Sequence, residues 1–481
     1  MNGSGWMSKP AQAARRSGAG RTGEDYGACV ITPSRLQPRD DWGVRADRLL
    51  GVPSVLTMGW YFEAAIDPPA LFGMYDRLMR GPLNRVVERA RIPGARDRWA
   101  QSPSAGAMFY SAEPIKPERV FDWFEEQWGA PLDLRRGPVW RLTATAVEDG
   151  HTVVLLLVHH AVADGHGAGN AWAAAAEGKV VCELADDGGL VADLADSLRQ
   201  WRAASVGAGK LVRSRWRQKA EGSPASPADD RQVTTAGDLD HEPAPSPTFL
   251  PRRAYLEFAP DEFRQAAAER GGTVNSLLMG IGARLLVASG VIPDGRTVEV
   301  SQRVSERAEG DYRGNVTSGA SLLVDAGPSL YEDLRPIRAA SKEALQNRVT
   351  GEHNFAELDS PLIQALPDCL FARRFGVRPK NPSRALCTTS NIGRLADVVM
   401  MLDGKRARSF YPSFVLPKQD EAELWRRYSS AVQVMLTDTG KEMTLMVEGR
   451  NPERHAVGHE EFVASLVEEC RRWGLTPLRA L

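Results

Sequence analysis

The stretch Thr152-Val153-Val154-Leu155-Leu156-Leu157-Val158 admits few folds. Apart from Thr152 it has no polar side chain, so it does not alternate as a strand with one wet face would. It is short and rich in branched residues, and turn signals bound it: Asp149-Gly150 before it, then Asp164 with Gly165, Gly167 and Gly169 after it. The segment predicts a strand buried on both faces. Residues 140–147 alternate like a strand and would join it through Asp149-Gly150. Upstream, Val120, Phe121, Phe124 and Trp128 recur at helical spacing within 118–128, and Pro131 closes that helix. Downstream, an Ala-rich helix is expected from about Asn170.

The chain holds 481 residues, more than one ordinary core accommodates. Its clearest break is 221–248, where Gly222-Ser223-Pro224-Ala225-Ser226-Pro227 and Pro243-Ala244-Pro245-Ser246-Pro247 have linker composition. The expected organisation is a disordered leader at 1–29, an N-terminal unit at 30–220, the linker at 221–248 and a C-terminal unit at 249–481. In the second unit, 254–258 predicts a strand, and 431–436 with 443–447 predict a hairpin through Asp438-Thr439-Gly440. Residues 261–270, 273–288 (capped by Thr273) and 460–473 predict helices. Helices and strands alternate in both halves, which defines the class as α/β.

Composition excludes several partners. Basic and acidic residues number 60 and 61, and no clustered basic excess offers a footprint for nucleic acid. No apolar run has the length of a membrane span. The five cysteines, Cys29, Cys182, Cys369, Cys387 and Cys470, are odd in number, scattered and free of any CxxC pair. Neither a disulfide framework nor a structural zinc site is expected, and a cytoplasmic location suits the chain.

Chemistry concentrates where the buried strand ends, at His159-His160-Ala161-Val162-Ala163-Asp164-Gly165. A histidine there is held firmly yet can face a cleft, and a neutral imidazole is the natural general base near pH 7. Adjacent residues of a strand point to opposite sides, so one histidine of the pair faces a given cleft. Asp164 could brace the loop or pair with a cation, and the glycines let a substrate approach closely. Three readings stay open at this level: a general base, a structural core histidine, or a metal site of His160, Asp164 and His166. Against the last, no other cluster of His or acidic residues stands out to complete a ligand set. Asn315-Val316-Thr317 also fits a glycosylation sequon, which carries no meaning in a cytoplasmic chain.

The same segment resembles the HHxxxDG signature of the superfamily that includes chloramphenicol acetyltransferase, nonribosomal peptide condensation domains, wax ester synthases and mycobacterial polyketide-associated acyltransferases. The likeness continues in the family's order over roughly 132–473. It runs through Pro131-Leu132-Asp133-Leu134, Gly137-Pro138-Val139-Trp140-Arg141-Leu142, Thr273-Val274-Asn275, Arg303-Val304-Ser305-Glu306-Arg307 with Gly314-Asn315, and Ser390-Asn391-Ile392-Gly393. Two departures stand out: Arg303 occupies a place where the family pattern has proline, and no DFGWG segment is present.

The resemblance implies two chloramphenicol acetyltransferase-like subdomains in a V, with an active-site tunnel between them. It makes His160 the catalytic base, gives His159 the orientation of the loop, and pairs Asp164 structurally with Arg307. Backbone near Gly165, with Ser390 and Asn391, would line the substrate or hold an oxyanion; the other reading of Ser390-Asn391 is a turn. His166 has no assigned role. The implied activity is acyl transfer from acyl-CoA, or from a phosphopantetheinyl thioester on an acyl-carrier protein, to a hydroxyl or amine of a small-molecule acceptor, in natural-product or lipid biosynthesis. No tightly bound cofactor and no metal are implied. A free-standing condensation enzyme using carrier-bound substrates is the alternative, and a non-catalytic carrier- or metabolite-binding member of the fold is a third. The run Arg373-Arg374, Arg378 and Lys380 reads either as a solvated loop or as a contact for CoA phosphate or an acidic carrier.

Overall fold

The computed structural model describes residues 30–32, 34–179, 182–185, 188–220, 233–235, 238–239, 244–307, 311, 313–349, 361–376, 385–417, 419–428 and 430–481. The leader 1–29, the linker piece 222–227, Arg378 and Lys380 lie outside them. The first half contains α1 (Pro38–Leu50), β1 (Val55–Phe62), β2 (Gly106–Ile115), α2 (Val120–Trp128), β3 (Trp140–Val147), β4 (His151–His159), α3 (Gly165–Ala176) and α4 (Leu190–Ala220). The second contains β5 (Arg252–Phe258), α5 (Pro260–Glu269), α6 (Val274–Ala288), β6 (Thr297–Ser305), β7 (Thr317–Asp325), α7 (Arg335–Val349), α8 (Asp368–Phe375), β8 (Cys387–Arg394), β9 (Ser409–Val415), β10 (Val432–Asp438), β11 (Met443–Gly449), α9 (His459–Arg472) and β12 (Arg479–Ala480). A helix at Pro68–Leu78, shorter helices and strands, and turns complete the path.

The apolar run in β4 sits in the middle of a five-stranded sheet ordered β9-β1-β4-β3-β2. Both of its faces are covered, each by a different body. Val154, Leu156 and Val158 pack into the N-terminal core, where Trp60 and Trp172 stack with ring centroids 4.0 Å apart. Val153, Leu155 and Leu157 pack with Phe124 against Tyr255, Met435 and Met446 of the second half. An unbroken apolar strand is what this position demands, because neither face meets water.

The second half carries a mixed sheet ordered β7-β6-β8-β10-β11-β5-β12. Helices α5, α6, α7 and α9 bury one face around Leu277, Ile281, Phe462 and Trp473. Thr273 caps α6: its hydroxyl accepts from the Ser276 amide at 3.2 Å, while the Ser276 hydroxyl accepts from the Thr273 amide at 3.1 Å. The other face lies partly against the first sheet and partly along a cavity.

Three local expectations need correction. The division at 221–248 does not separate the two sheets. Strand β9 follows it in sequence yet pairs antiparallel with β1 along its whole length, and Leu395, Met400, Leu402 and Phe410 pack in the N-terminal core. Inside the expected linker, Val233 and Thr234 pair with Thr297 and Val298 of β6. Helix α3 begins at Gly165 rather than near Asn170, because Asp164 caps it by accepting from the Gly167 amide at 2.8 Å. Of the glycines in its first turns Gly167 is the confined one: a Cβ there would lie 3.0 Å from Arg307 Nη2.

Candidate active site

A cavity of about 610 Å³ opens between the two halves. One wall is apolar and comes from Trp42, Ala46 and Leu50 of α1, with Leu56, Phe375 and Phe414. The wall formed by the second sheet is mostly polar, with Arg303, Thr317, Thr388, Ser390 and Gln433 beside Ile392 and Met435, and Arg450 lies 5.9 Å from the Phe414 ring. The period of two explains that wall. Val300, Cys387 and Val434 point under the helices, so Arg303, Thr388 and Gln433 point the other way, into the cavity.

The histidine pair divides as strand geometry requires. His159 is fully buried. Its Nδ1 accepts from the Ala161 amide at 3.2 Å. Nε2 lies 3.3 Å from Asp47 Oδ2 on α1, an ion-pair distance whose direction is not that of a hydrogen bond. His160 instead lines the cavity, with its ring edge-on to Phe414 at 5.4 Å. Its backbone is pinned: the amide donates to Ser54 O at 2.8 Å, and the carbonyl accepts from Asn315 Nδ2 at 2.8 Å.

Burial pushes the His160 pKa below its ordinary value of 6.5; the charge of Asp164 pulls it back only partly, and His159 and Arg303 add to the depression. The ring is therefore neutral at pH 7.

Asp164 is engaged on both oxygens. Oδ1 accepts from Arg307 Nη2 at 2.8 Å and from the Gly167 amide at 2.8 Å. Oδ2 accepts from the Val316 amide and the Thr317 hydroxyl, each at 3.0 Å. Burial alone would raise its pKa, but the Arg307 charge and these hydrogen bonds outweigh it and hold the carboxyl below the usual range. Arg307 is itself fixed by the carbonyls of Asp311 at 2.6 Å, Arg313 at 2.9 Å and Gly314 at 3.0 Å.

Two residues to which the sequence reading gave no role complete this lock. Asn315 Nδ2 donates to the carbonyls of His160 and Ala161, at 2.8 and 3.0 Å, and to Asp40 Oδ1 at 3.1 Å. Asp40, on α1 and 1% exposed, also accepts from the Asn315 amide at 3.1 Å. Gly314 has a matching constraint, since a Cβ there would meet Asp40 Oδ1 at 2.8 Å.

Ser390 and Asn391 lie on β8, on the cavity wall, with a bulge between Asn391 and Gly393 rather than a turn. Asn391 is occupied: Nδ2 donates to Asn275 Oδ1 at 2.5 Å, and Oδ1 accepts from the Gly393 amide at 2.9 Å. Ser390 sits beside Arg303 in the parallel ladder. Gly165 also lines the cavity and opens the first turn of α3, and a Cβ there would meet nothing within 4 Å. Amides of a helix's first turn lack intrahelical partners and suit developing negative charge.

His166 faces the same cavity. Among the described residues no three His, Cys, Asp or Glu side chains come together as a metal set, and both Asp164 oxygens are already engaged. Arg373 and Arg374 lie in the last turn of α8, two residues and one residue before the cavity-lining Phe375.

No protein-family model matches the sequence, and no curated protein is similar to it at a significant level. Solved structures are similar in fold. The wax ester synthase/diacylglycerol acyltransferase from Marinobacter aquaeolei VT8 has a TM-score of 0.54 at 14% identity, over 92% of this chain and 98% of that one. The condensation domain from the monacolin K polyketide synthase MokA has a TM-score of 0.57 at 13% identity, over 94% and 100%. A variant starter condensation domain of rhizomide synthetase, in complex with C8-CoA, has a TM-score of 0.53 at 14% identity, over 94% and 98%. The chain thus shares the two-subdomain α/β fold of these wax ester synthase and condensation-domain structures.

Proposed function

We propose that the chain is an acyltransferase that moves an acyl group from a thioester, on CoA or on a carrier protein's phosphopantetheine, to a hydroxyl or amine of a small acceptor. One observation carries this reading: His160 presents a neutral imidazole to a cavity between the two halves, in a loop whose other polar members are held by partners. The acceptor O–H or N–H gives its proton to the His160 ring as its lone pair attacks the thioester carbonyl. The C–S bond of the tetrahedral intermediate then breaks, and the imidazolium returns the proton to the departing thiolate. A base of this kind supplies about 10²–10⁴-fold in rate, and holding both substrates in one cavity supplies more through orientation. The open first turn of α3 at Gly165 is the best-placed donor for the oxyanion. The names of the structural neighbours, a wax ester synthase and condensation domains, support the same class, as does the C8-CoA held by one of them.

The test is incubation with a panel of acyl-CoAs and acyl-carrier proteins, following release of free thiol with and without hydroxyl and amine acceptors. Acceptor-dependent release that is lost in His160→Ala supports the proposal, and the donor that reacts separates CoA from carrier chemistry. Binding of thioesters without turnover in any combination would point instead to a non-catalytic member of the fold.

A further inference from the structure

We infer that the outward face of α4 docks on an anionic lipid surface. The helix is mounted the reverse way round from an ordinary surface helix, which turns its apolar stripe to the core. Here the polar residues face the protein. Asp193 accepts from Arg35 Nη2 at 2.7 Å and from the Arg91 amide at 2.8 Å. Asp196 accepts from Arg96 Nη2 at 2.8 Å and from the Arg96 amide at 2.9 Å, and the Ser197 hydroxyl donates to Pro93 O at 2.8 Å. The apolar residues face outward instead. Leu190, Val191, Leu194, Leu198, Trp201 and Val206 are each more than half exposed, Val191 by 84%.

Shape and charge together name the occupant. At 100° per residue the apolar positions span about 160° of the helix circumference, wider than the narrow seam of a coiled coil. Ala195, Arg199, Arg202 and Ser205 are exposed as well, so this face is a ridge and not a groove. Both acids of residues 190–206 are turned inward, and the exposed charges on that stretch are Arg199 and Arg202, with exposed Arg91 beside Asp193. Arg199 has Asp196 at 3.7 Å, yet its side chain is 70% exposed. An arginine inside an apolar arc lays its stem along acyl chains and sets its guanidinium among phosphates, and a tryptophan suits the same interface. A second copy of α4 would set this basic face against itself, and a partner helix would want a groove to lie in.

The helix would lie on the surface, since among the described residues no single helix is long and apolar enough to cross a membrane. One packed segment separates it from α1. A Cβ on Gly207 would meet Leu362 Cγ at 3.4 Å, and Arg45 of α1 donates to the carbonyls of Gln364 at 2.8 Å and Leu366 at 2.6 Å. Trp42, Ala46 and Leu50 of that helix belong to the cavity's apolar wall, so the docking face stands behind that wall. The inference rests on the surface of α4 alone and does not depend on the chemistry at His160.

The test is co-sedimentation of the full chain with sucrose-loaded vesicles, made either of phosphatidylcholine alone or of an equal mixture with phosphatidylglycerol. The mixed vesicles should bind at least about ten-fold more tightly, each arginine near an anionic surface being worth about five-fold. Arg199→Gln combined with Arg202→Gln should remove most of that preference. Leu194→Gln combined with Leu198→Gln should weaken binding to the mixed vesicles by about ten-fold or more, because the apolar area no longer leaves water. The unfolding midpoint should stay near that of the wild type in both variants, since all four side chains are exposed. No wild-type binding to the mixed vesicles would overturn the proposal, and so would binding that both folded variants retain in full. Self-association of the wild type in sedimentation velocity, lost in the leucine variant, would give the stripe to a second copy and overturn lipid docking.

Discussion

The loop that carries the histidine pair has two faces, and they are built by opposite rules. On the inner face Asp164 accepts from Arg307, Gly167, Val316 and Thr317, while Asn315 holds the carbonyls of His160 and Ala161. On the outer face the His160 ring meets the edge of Phe414 and the cavity. Only the inner face is saturated with polar contacts, and most of these cross from one half of the chain to the other. A base must keep one lone pair idle and still stay in place, and the saturated face supplies the second condition. Substitutions on the outer face should therefore remove chemistry and spare the fold, whereas those on the inner face should damage both.

The sharpest break of that comparison is His160→Ala. Turnover should fall by at least about 10²–10⁴-fold while the unfolding midpoint stays near that of the wild type. Retained activity in a folded variant would erase the distinction. Next come the lock residues. Asp164→Ala or Arg307→Ala each strands a buried charge and should cost about 3–5 kcal/mol in denaturant unfolding, with activity falling alongside. Their double-mutant cycle should show strong coupling, and additive effects would mean the pair does not act as a unit. Asn315→Ala leaves the carbonyls of His160 and Ala161 and the Asp40 carboxyl short of a donor, and about 1–3 kcal/mol of stability should go with it.

The smallest expected effect lies in acid. The folded-state pKa of Asp164 is depressed below its ordinary 3.8. Its stabilisation is then fully present above the unfolded pKa and is lost as pH falls through the lower folded value. Asp164→Asn should flatten the acid limb of a stability-versus-pH curve, and an unchanged limb would remove Asp164 from that account.

The parts legible in the sequence were those with a local period or a contiguous motif. The run ending at Val158 marked a strand buried on both faces, and Thr273 marked the start of α6. The motif and its accompanying segments brought Asp164 and Arg307 forward as a pair, which the structure places 2.8 Å apart. What stayed hidden acts across distance. Asp40 meets Asn315 from 275 positions away, and no periodicity at either end announces it. Asn315 read as part of the resembling Gly314-Asn315 segment and of a sequon, with no partner named. Strand β9 could not be assigned to the first sheet, because nothing in Ser409-Phe410-Tyr411-Pro412 names its partner β1. Helix α1 was missed because Gly43 and its many charges weaken the helical pattern. That glycine is needed where a Cβ would meet Ala161 Cβ at 3.0 Å. Arg303 was visible, but only as a departure from the family's proline; its meaning depends on the wall it stands in.

The most direct test of the central claim is the pH dependence of kcat/KM for acyl transfer to a hydroxyl acceptor. That quantity reports the free enzyme's essential base. Burial places the His160 pKa below 6.5. The rate should therefore rise with pH along a single limb centred below that value, then stay level from about pH 7 to about pH 8.5. A rate that still climbs across that upper range would contradict the neutral, idle imidazole at His160.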